Sequence, residues 1–170
     1  GDLVLATRTA TVSNANASTN SVGGVAGASS IVDVNIHADN DIRLNNAELL
    51  GRDVKVMAGQ GMVEGLDRVP DLLDVRAGAD LSIIALAGIT VPVEKVKLVE
   101  DNNIHLLGNT RVRAIGNVDL LAEKGLNKVA RTGQVLNISL TGFLSGLTTT
   151  TSEELTHNHR LILGDQAKVE

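Results

Sequence analysis

The 170-residue sequence contains no cysteine, tryptophan or tyrosine, one phenylalanine (Phe143) and only two prolines. Without cysteine there is neither a disulfide framework nor a thiolate metal site. With one aromatic the interior lacks most of its usual large buried pieces. The apolar share of 43% rests instead on Val, Leu, Ile and Ala, which suit a thin core between stacked strands. The formal charge is −5, from 15 basic and 20 acidic residues. No run of Lys and Arg stands out, which argues against nucleic acid as a partner. No apolar run reaches the length of a membrane span. The longest candidate, Ala79 to Val93, is interrupted by Asp80, Ser82, Gly88, Thr90 and Pro92. There is no initiator Met and no leader. The chain opens at Gly1 in mid-pattern, so it is expected to be a piece of something longer, with any targeting signal elsewhere.

What the sequence does have is an internal repeat. Gly1 to Thr7 reads GDLVLAT, Gly51 to Gly59 GRDVKVMAG, and Gly116 to Lys124 GNVDLLAEK. Leu3 and Leu5, Val54 and Val56, and Val118 and Leu120 occupy matching alternate positions, and Ala6, Ala58 and Ala122 close the motif. A second landmark precedes the end of each copy: ADNDIRL from Ala38, EDNNIHL from Glu100 and THNHRLIL from Thr156, followed by ELLG, RAIG and KVE. The chain therefore reads as one continuous array of three imperfect units, 1–50, 51–115 and 116–170. A parallel circuit closes in roughly 20 residues or more. On that basis each unit is expected to hold two to three coils, giving about 8 coils and a rod of about 40 Å.

Alternation of period two recurs along the chain, as in Ile31–Ile36, Ile42–Leu44, Val96–Leu98, Val112–Ala114 and Leu161–Leu163, and it predicts short strands. Their outward partners are polar: Asp33, Asn35, Arg43, Lys55, Lys97, His105, Arg113, Asp119 and Ser139. The Asp-Asn and Asn-Asn pairs between the runs are read as turns. Thr9–Ser30, rich in Ala, Ser, Thr and Gly, reads as a low-complexity linker or, by its Ala/Thr alternation, as a thin strand. Residues 63–73, with Glu64, Asp67, Arg68, Pro70 and Asp71, read as a loop insert with a short helix after Pro70. Leu81–Val93 and Val135–Leu147 are apolar on both parities, suiting strands buried on two faces or covered by another chain. The expected class is all-β, a right-handed parallel β-helix segment, with β-sandwich repeats as the alternative.

Several residue groups invite chemical readings. Asp39-Asn40-Asp41 and Asp101-Asn102-Asn103 offer oxygens to a hard cation, but the third copy, His157-Asn158-His159, breaks that chemistry, and turn formation explains all three. His157 and His159 face one side of a strand and could share a metal, yet no third ligand lies near in sequence. Glu64, Asp67, Asp71 and Asp74 are carboxylates of the kind a glycosidase pairs, in a stretch that also reads as an ordinary solvated loop, with no aromatic platform for a sugar. Gly23-Gly24 and Gly27 lack a following phosphate-binding lysine. Asn16 and Asn137 match the glycosylation sequon. Weighed this way, no catalytic, cofactor-binding or metal residue is assigned, and the chain is not read as an enzyme.

With these motifs in view, the sequence resembles the repeat region of giant filamentous-haemagglutinin and leukotoxin-type filamentous adhesins of bacteria. GDLVLAT, then NANASTNSVGGVAGASS, then VDVNIHADNDIRLNNAELLGRDVKVMAG carry the resemblance, which returns at Asn103 to Glu123. The Pro70 and Pro92 stretch and the Thr148–Thr151 run depart from it. The resemblance implies export to the cell surface, a right-handed parallel β-helix, and a role in adhesion or as a stalk. The expected partners are neighbouring repeats or further copies of the protein, and a host or neighbouring-cell surface. A β-helix module that binds a protein or carbohydrate is the second reading, and a polysaccharide-active β-helix the third.

Overall fold

The alternation of aliphatic and polar residues becomes extended backbone along almost the whole chain. The computed structural model describes residues 1–63, 66–70, 72–122, 127–131, 138–141, 144–147 and 150–170, and among them there is no helix. The first unit supplies β1 (Leu3–Thr7), β2 (Ala10–Asn45) and β3 (Glu48–Gly51). The second supplies β4 (Val54–Ala58), a hairpin of β5 (Gln60–Val63) and β6 (Leu66–Pro70), then β7 (Leu72–Leu107) and β8 (Arg111–Ala114). The third supplies β9 (Val118–Ala122), β10 (Asn127–Arg131), β11 (Ile138–Thr141), β12 (Leu144–Leu147), β13 (Thr150–Leu163) and β14 (Lys168–Val169).

Equivalent strands of the three units pair side by side and in parallel. One sheet runs β1-β4-β9, another β3-β8-β14, and in the largest β7 is flanked by β2 on one edge and by β10 to β13 on the other. None of these sheets closes on itself. Antiparallel pairing, the basis of a hairpin sandwich, is confined among the described residues to β5 with β6. The register follows the first sequence landmark: Leu3 pairs Val54, which pairs Val118, and Leu5, Val56 and Leu120 follow. Other alignments shift. Thr7, not Ala6, is level with Ala58, ELLG pairs with Arg111–Ala114 rather than RAIG, and the third ADNDIRL equivalent starts at His157.

Each unit contributes one strand layer, not two or three coils. Three layers about 4.8 Å apart span about 10 Å from first to last strand, not about 40 Å. The length is absorbed by β2 and β7, 36 residues each, which fold back on themselves near mid-length. Thr19 Oγ1 donates to Ser29 O at 3.1 Å and Thr9 Oγ1 to Asn40 Oδ1 at 3.2 Å, so the two limbs of β2 face each other about the Gly23-Gly24 pair. In β7, Leu73, Val75 and Ala77 share one cluster with Val96 and Leu98. Ala15, Ala17 and Ala26 pack on the same cluster. Such small side chains let the two limbs lie close, which is what a chain with a single phenylalanine can fill. From Ala10 onward the Thr9–Ser30 stretch is thus strand, as its Ala/Thr alternation suggested.

A second core sits where the three sheets meet. Ile42, Val54, Val56, Ala58, Ile104, Leu106 and Val112 are buried together, with Leu3, Leu5, Leu44, Leu49, Val118 and Leu120 packed around them. Burying one such aliphatic side chain is worth about 1.5–3 kcal/mol. The corner between the large sheet and the β3-β8-β14 sheet needs left-handed backbone. Asn46 (φ 53°) provides it in the first unit and Gly108 (φ 57°) in the second. Asn46 Oδ1 accepts the Asn109 N–H at 3.0 Å, and a Cβ on Gly108 would run into that same oxygen.

The second unit exceeds the first by thirteen residues, judged from the Leu3, Val54 and Val118 alignment. Eleven of these lie between β4 and β7, where the β5-β6 hairpin stands, and one at each of two corners. The expected insert at 63–73 is therefore part of a hairpin that starts at Gln60. Where a short helix was expected after Pro70, β7 begins instead at Leu72.

Candidate functional site

Among the described residues, a block of polar side chains lies inside the fold, between the two apolar cores. Along β7 the inward parity runs Glu94, Val96, Leu98, Glu100, Asn102, Ile104, Leu106, all buried. Strand geometry sends every second side chain to the same face, so Glu100 and Asn102 are carried inward with their aliphatic neighbours. The sequence reading placed a turn here. The structure places uninterrupted strand through β2, β7 and β13 instead.

Asn40 and Asn102 form a buried amide ladder across two layers. Asn40 Nδ2 donates to Asn102 Oδ1 at 2.9 Å, and Asn102 Nδ2 donates to Glu100 Oε1 at 3.1 Å. Thr9 Oγ1 continues the chain by donating to Asn40 Oδ1. Gly59, at φ 81°, makes the site possible, since a Cβ there would collide with the Asn102 amide. In the third layer His157 and His159 stand over Glu100 and Asn102. His157 Nδ1 lies 3.1 Å from Glu100 Oε2, and the two imidazoles are stacked with centroids 6.2 Å apart. Fully buried Glu100 thus has named partners on both carboxylate oxygens.

The outward parity carries a second network. Asp101 Oδ2 lies 2.6 Å from His37 Nε2 in the first layer, and Asp101 Oδ1 accepts Asn158 Nδ2 at 2.6 Å in the third. The Asn158 hydrogen bond, then that of His37, hold the Asp101 carboxyl below the ordinary carboxylate value. Asp41 pairs with Arg43 and Lys97 with Glu154. Arg52 grips Asp2 through two bonds of 2.9 Å, which lowers the Asp2 carboxyl and raises the guanidinium.

This alternation separates the oxygens of the two Asp/Asn triplets. Asp39 and Asp41 point away from Asn40, and Asp101 and Asn103 away from Asn102, so neither triplet converges on one point. His157 and His159 do share a face, as expected, and the structure adds Glu100 beside them. Even so, no group of three or more His, Asp or Glu among the described residues has the geometry of a metal site. Of the four insert carboxylates, Glu64 and Asp71 lie outside the described residues. Asp67 is on β6. Asp74 is on β7, its Oδ2 3.4 Å from Arg76 Nη2. Gly23 and Gly24 stand at the fold-back of β2. Asn16 is exposed on β2, and Asn137 lies outside the described residues. In the apolar stretch Leu81–Val93, Ile89 is exposed and Pro92 buried. Ile138–Thr141 pairs Leu81–Ile84 through the backbone. An open depression of about 450 Å³ at the corner by Gly1 and Ile115 is lined by Arg52 and Arg113, which are engaged by Asp2 and Glu170.

Glu100 was missed as an inward residue. The available signal was parity: Val96–Leu98 and Ile104–Leu106 share it, and extending it across the gap puts Glu100 and Asn102 inside. Among the described residues no helix is long and apolar enough to cross a membrane. No family model, curated protein or solved structure matches the chain.

Proposed function

We propose that this chain is a structural segment of an extracellular bacterial β-solenoid: a stiff, non-enzymatic rod element on the cell surface that carries or forms an adhesive filament. The carrying observation is the register. Equivalent residues of three units pair in parallel across three sheets, so each unit is a layer that adds to the last. An architecture of this kind extends by repetition, each layer covering the open edge below it. The reading takes the three sheets as the faces of one right-handed parallel β-helix. The aliphatic and amide ladders supply a continuous interior. The weakly acidic exterior keeps neighbouring rods soluble. The proposed contacts are neighbouring repeats or copies of the protein along the axis and a host or neighbouring cell at the tip, with no nucleic acid involved.

A second reading rests on the β5-β6 hairpin, which has no counterpart in the first unit. A feature that the first layer lacks is where a binding module for a protein or carbohydrate would present itself. Two measurements test the main reading. Gold-labelled antibody against the chain, applied to intact producing cells, is expected to mark thin surface fibres. Fibre diffraction from those fibres is expected to show an axial repeat of about 4.8 Å. Label that reaches the protein only after the cells are opened would refute the surface role, and a missing axial repeat would refute the solenoid.

A further inference from the structure

We propose that the fold-back end of the long sheet seats in a lipid surface, with the Ile89 side chain entering the apolar zone beneath zwitterionic headgroups. The inference deepens the surface reading above by naming a chemistry through which such a segment meets a cell, and it rests on that reading only for a membrane within reach. Residues 9–32, 81–93 and 132–152 contain no Asp, Glu, Lys, Arg or His. The register brings these stretches together. Leu81 is level with Thr19 and Ile138, and Val93 with Ile31 and Thr150, so between those levels no layer carries a charge. This is the end of the sheet where β2 folds back at Gly23-Gly24, with Thr19 facing Ser29. Among the described residues of β7, Ile89 is the exposed large aliphatic side chain, at 63%. It pairs Gly27 on one side and Gly146 on the other, so it stands between two positions that have no side chain. Because β7 is the middle layer, this exposure belongs to the flank of the stack and to neither end of it. Val91 and Val93 follow on the same parity, half-buried, and Ile31, beside Val93, is exposed.

The chemistry of the patch favours hydrocarbon over a protein partner. It has none of the Trp, Tyr or Arg that anchor most protein interfaces. β7 is paired on both sides at Ile89, so its backbone enters an apolar medium with its hydrogen bonds already made. Charge returns one outward position beyond Val93, and it returns balanced. Lys95 is level with Asp33, and Lys97 Nζ lies 2.9 Å from Glu154 Oε1. Opposite charges side by side suit a zwitterionic headgroup layer, whereas an anionic surface calls for an excess of Lys and Arg. Lys95 lies six residues beyond Ile89, about 20 Å along a strand. An interfacial element sinks roughly 5–10 Å, so Ile89 can be buried while these charges stay in water.

The test uses the purified chain and phosphatidylcholine vesicles in flotation gradients. Ile89→Asp changes a mostly exposed side chain between two glycines and is expected to leave the fold intact, which circular dichroism checks. The wild type is expected to float with the vesicles at low and high salt alike, and Ile89→Asp to bind about tenfold more weakly. Leu50→Asp, at an exposed leucine of a different sheet, is expected to bind as the wild type does. Because the chain has no cysteine, Ile89→Cys accepts a single environment-sensitive dye. Its emission is expected to shift to the blue on vesicles and to be quenched by brominated acyl chains. A wild type that does not float would overturn the proposal, and dimers that are lost in Ile89→Asp would assign the patch to a second copy instead. Binding that needs anionic lipid and disappears in salt would overturn it too, as would equal losses in Ile89→Asp and Leu50→Asp. Antibody labelling of cells is a separate measurement. A chain that marks surface fibres yet ignores vesicles refutes the lipid contact alone, and one that floats but is confined inside cells refutes the surface reading alone.

Discussion

Replacing Asn102 by leucine probes the buried amide ladder with little change of shape, since both side chains branch at Cγ. Asn102 is fully buried. It accepts from Asn40 Nδ2 at 2.9 Å and donates to Glu100 Oε1 at 3.1 Å. Leucine removes these bonds, and the 3.5 Å contact of Asn102 Nδ2 with His159 Nδ1, and takes from Asn40 Nδ2 and Glu100 Oε1 the bond that Asn102 gave each of them in the interior. Each stranded group costs about 1–3 kcal/mol, and the added apolar burial returns about 1–2 kcal/mol. The net loss is then about 3 kcal/mol, or a fall in Tm of about 6–12 °C for a chain of this size. Urea titration at pH 7 with circular dichroism measures it. Asn40→Leu is the partner variant, and the double variant closes the cycle. Because each single variant also strands the amide of the other member, the double variant strands fewer groups than the two single variants together and is expected to cost about 1–3 kcal/mol less than their sum. A single variant within about 0.5 kcal/mol of wild type would refute the reasoning, and so would strict additivity.

Gly108→Val places a β-branched residue at φ 57° and a Cβ against Asn46 Oδ1; a loss of about 2 kcal/mol is expected from chemical denaturation, against a few tenths for Asn46→Gly. Leu106→Ala, in the second core, is expected to cost about 3 kcal/mol, whereas Leu50→Ala, 60% exposed, stays within about 0.5 kcal/mol; equal effects would contradict the inward parity. The carboxyls of Asp101, Asp2 and Glu170 are all held below their ordinary values, by Asn158, Arg52 and Arg113 respectively. Below those ordinary values the unfolded chain binds protons that the folded chain refuses, so this stabilisation is present above about pH 4 and is lost as pH falls through the depressed folded values. Urea midpoints between pH 2 and pH 6 should drop on the acid side, and Asn158→Ala should raise the Asp101 pKa measured by NMR.

Much of the layer structure was legible because matching aliphatic pairs survive in each unit. Leu3, Val54 and Val118 can be aligned by eye, and they pair in the structure. The coil count was not legible. A unit of 50 to 65 residues is long for a small circuit, and nothing local announces that β2 and β7 fold back. Gly23 is level with Ala85, and Leu86 follows it, so the second unit has no turn chemistry where the first has Gly23-Gly24. The polar block was hidden as well. Asp-Asn-Asp is a turn signal in most chains, and only the parity shared by Leu98 and Ile104 argues that Glu100 and Asn102 continue a strand. The hairpin hid for the opposite reason: Pro70 and the charges of the insert point to a loop, while β5 and β6 are held by pairing with each other.

The position of the polar block, between two aliphatic cores, suggests what it adds to the stack. Aliphatic ladders are nearly degenerate under a slip of two residues, which keeps every inward side chain inward. After a slip that sets Val32 and Val34 on Val96 and Leu98, these side chains would pack almost as well as in the native register. Asn40 and Asn102 would not. Moved by two, Asn102 would face Ala38 or Ile42, and its amide would lose the partner it has now, at about 1–3 kcal/mol for each orphaned group. Glu100 raises the penalty, because Asn102 Nδ2 and His157 hold it from two layers. A buried polar group that adds little net stability can still select one register among several. The Asn40→Leu/Asn102→Leu variant separates these two contributions: it costs less than the two single losses added together while removing the feature that distinguishes the native register from a slipped one.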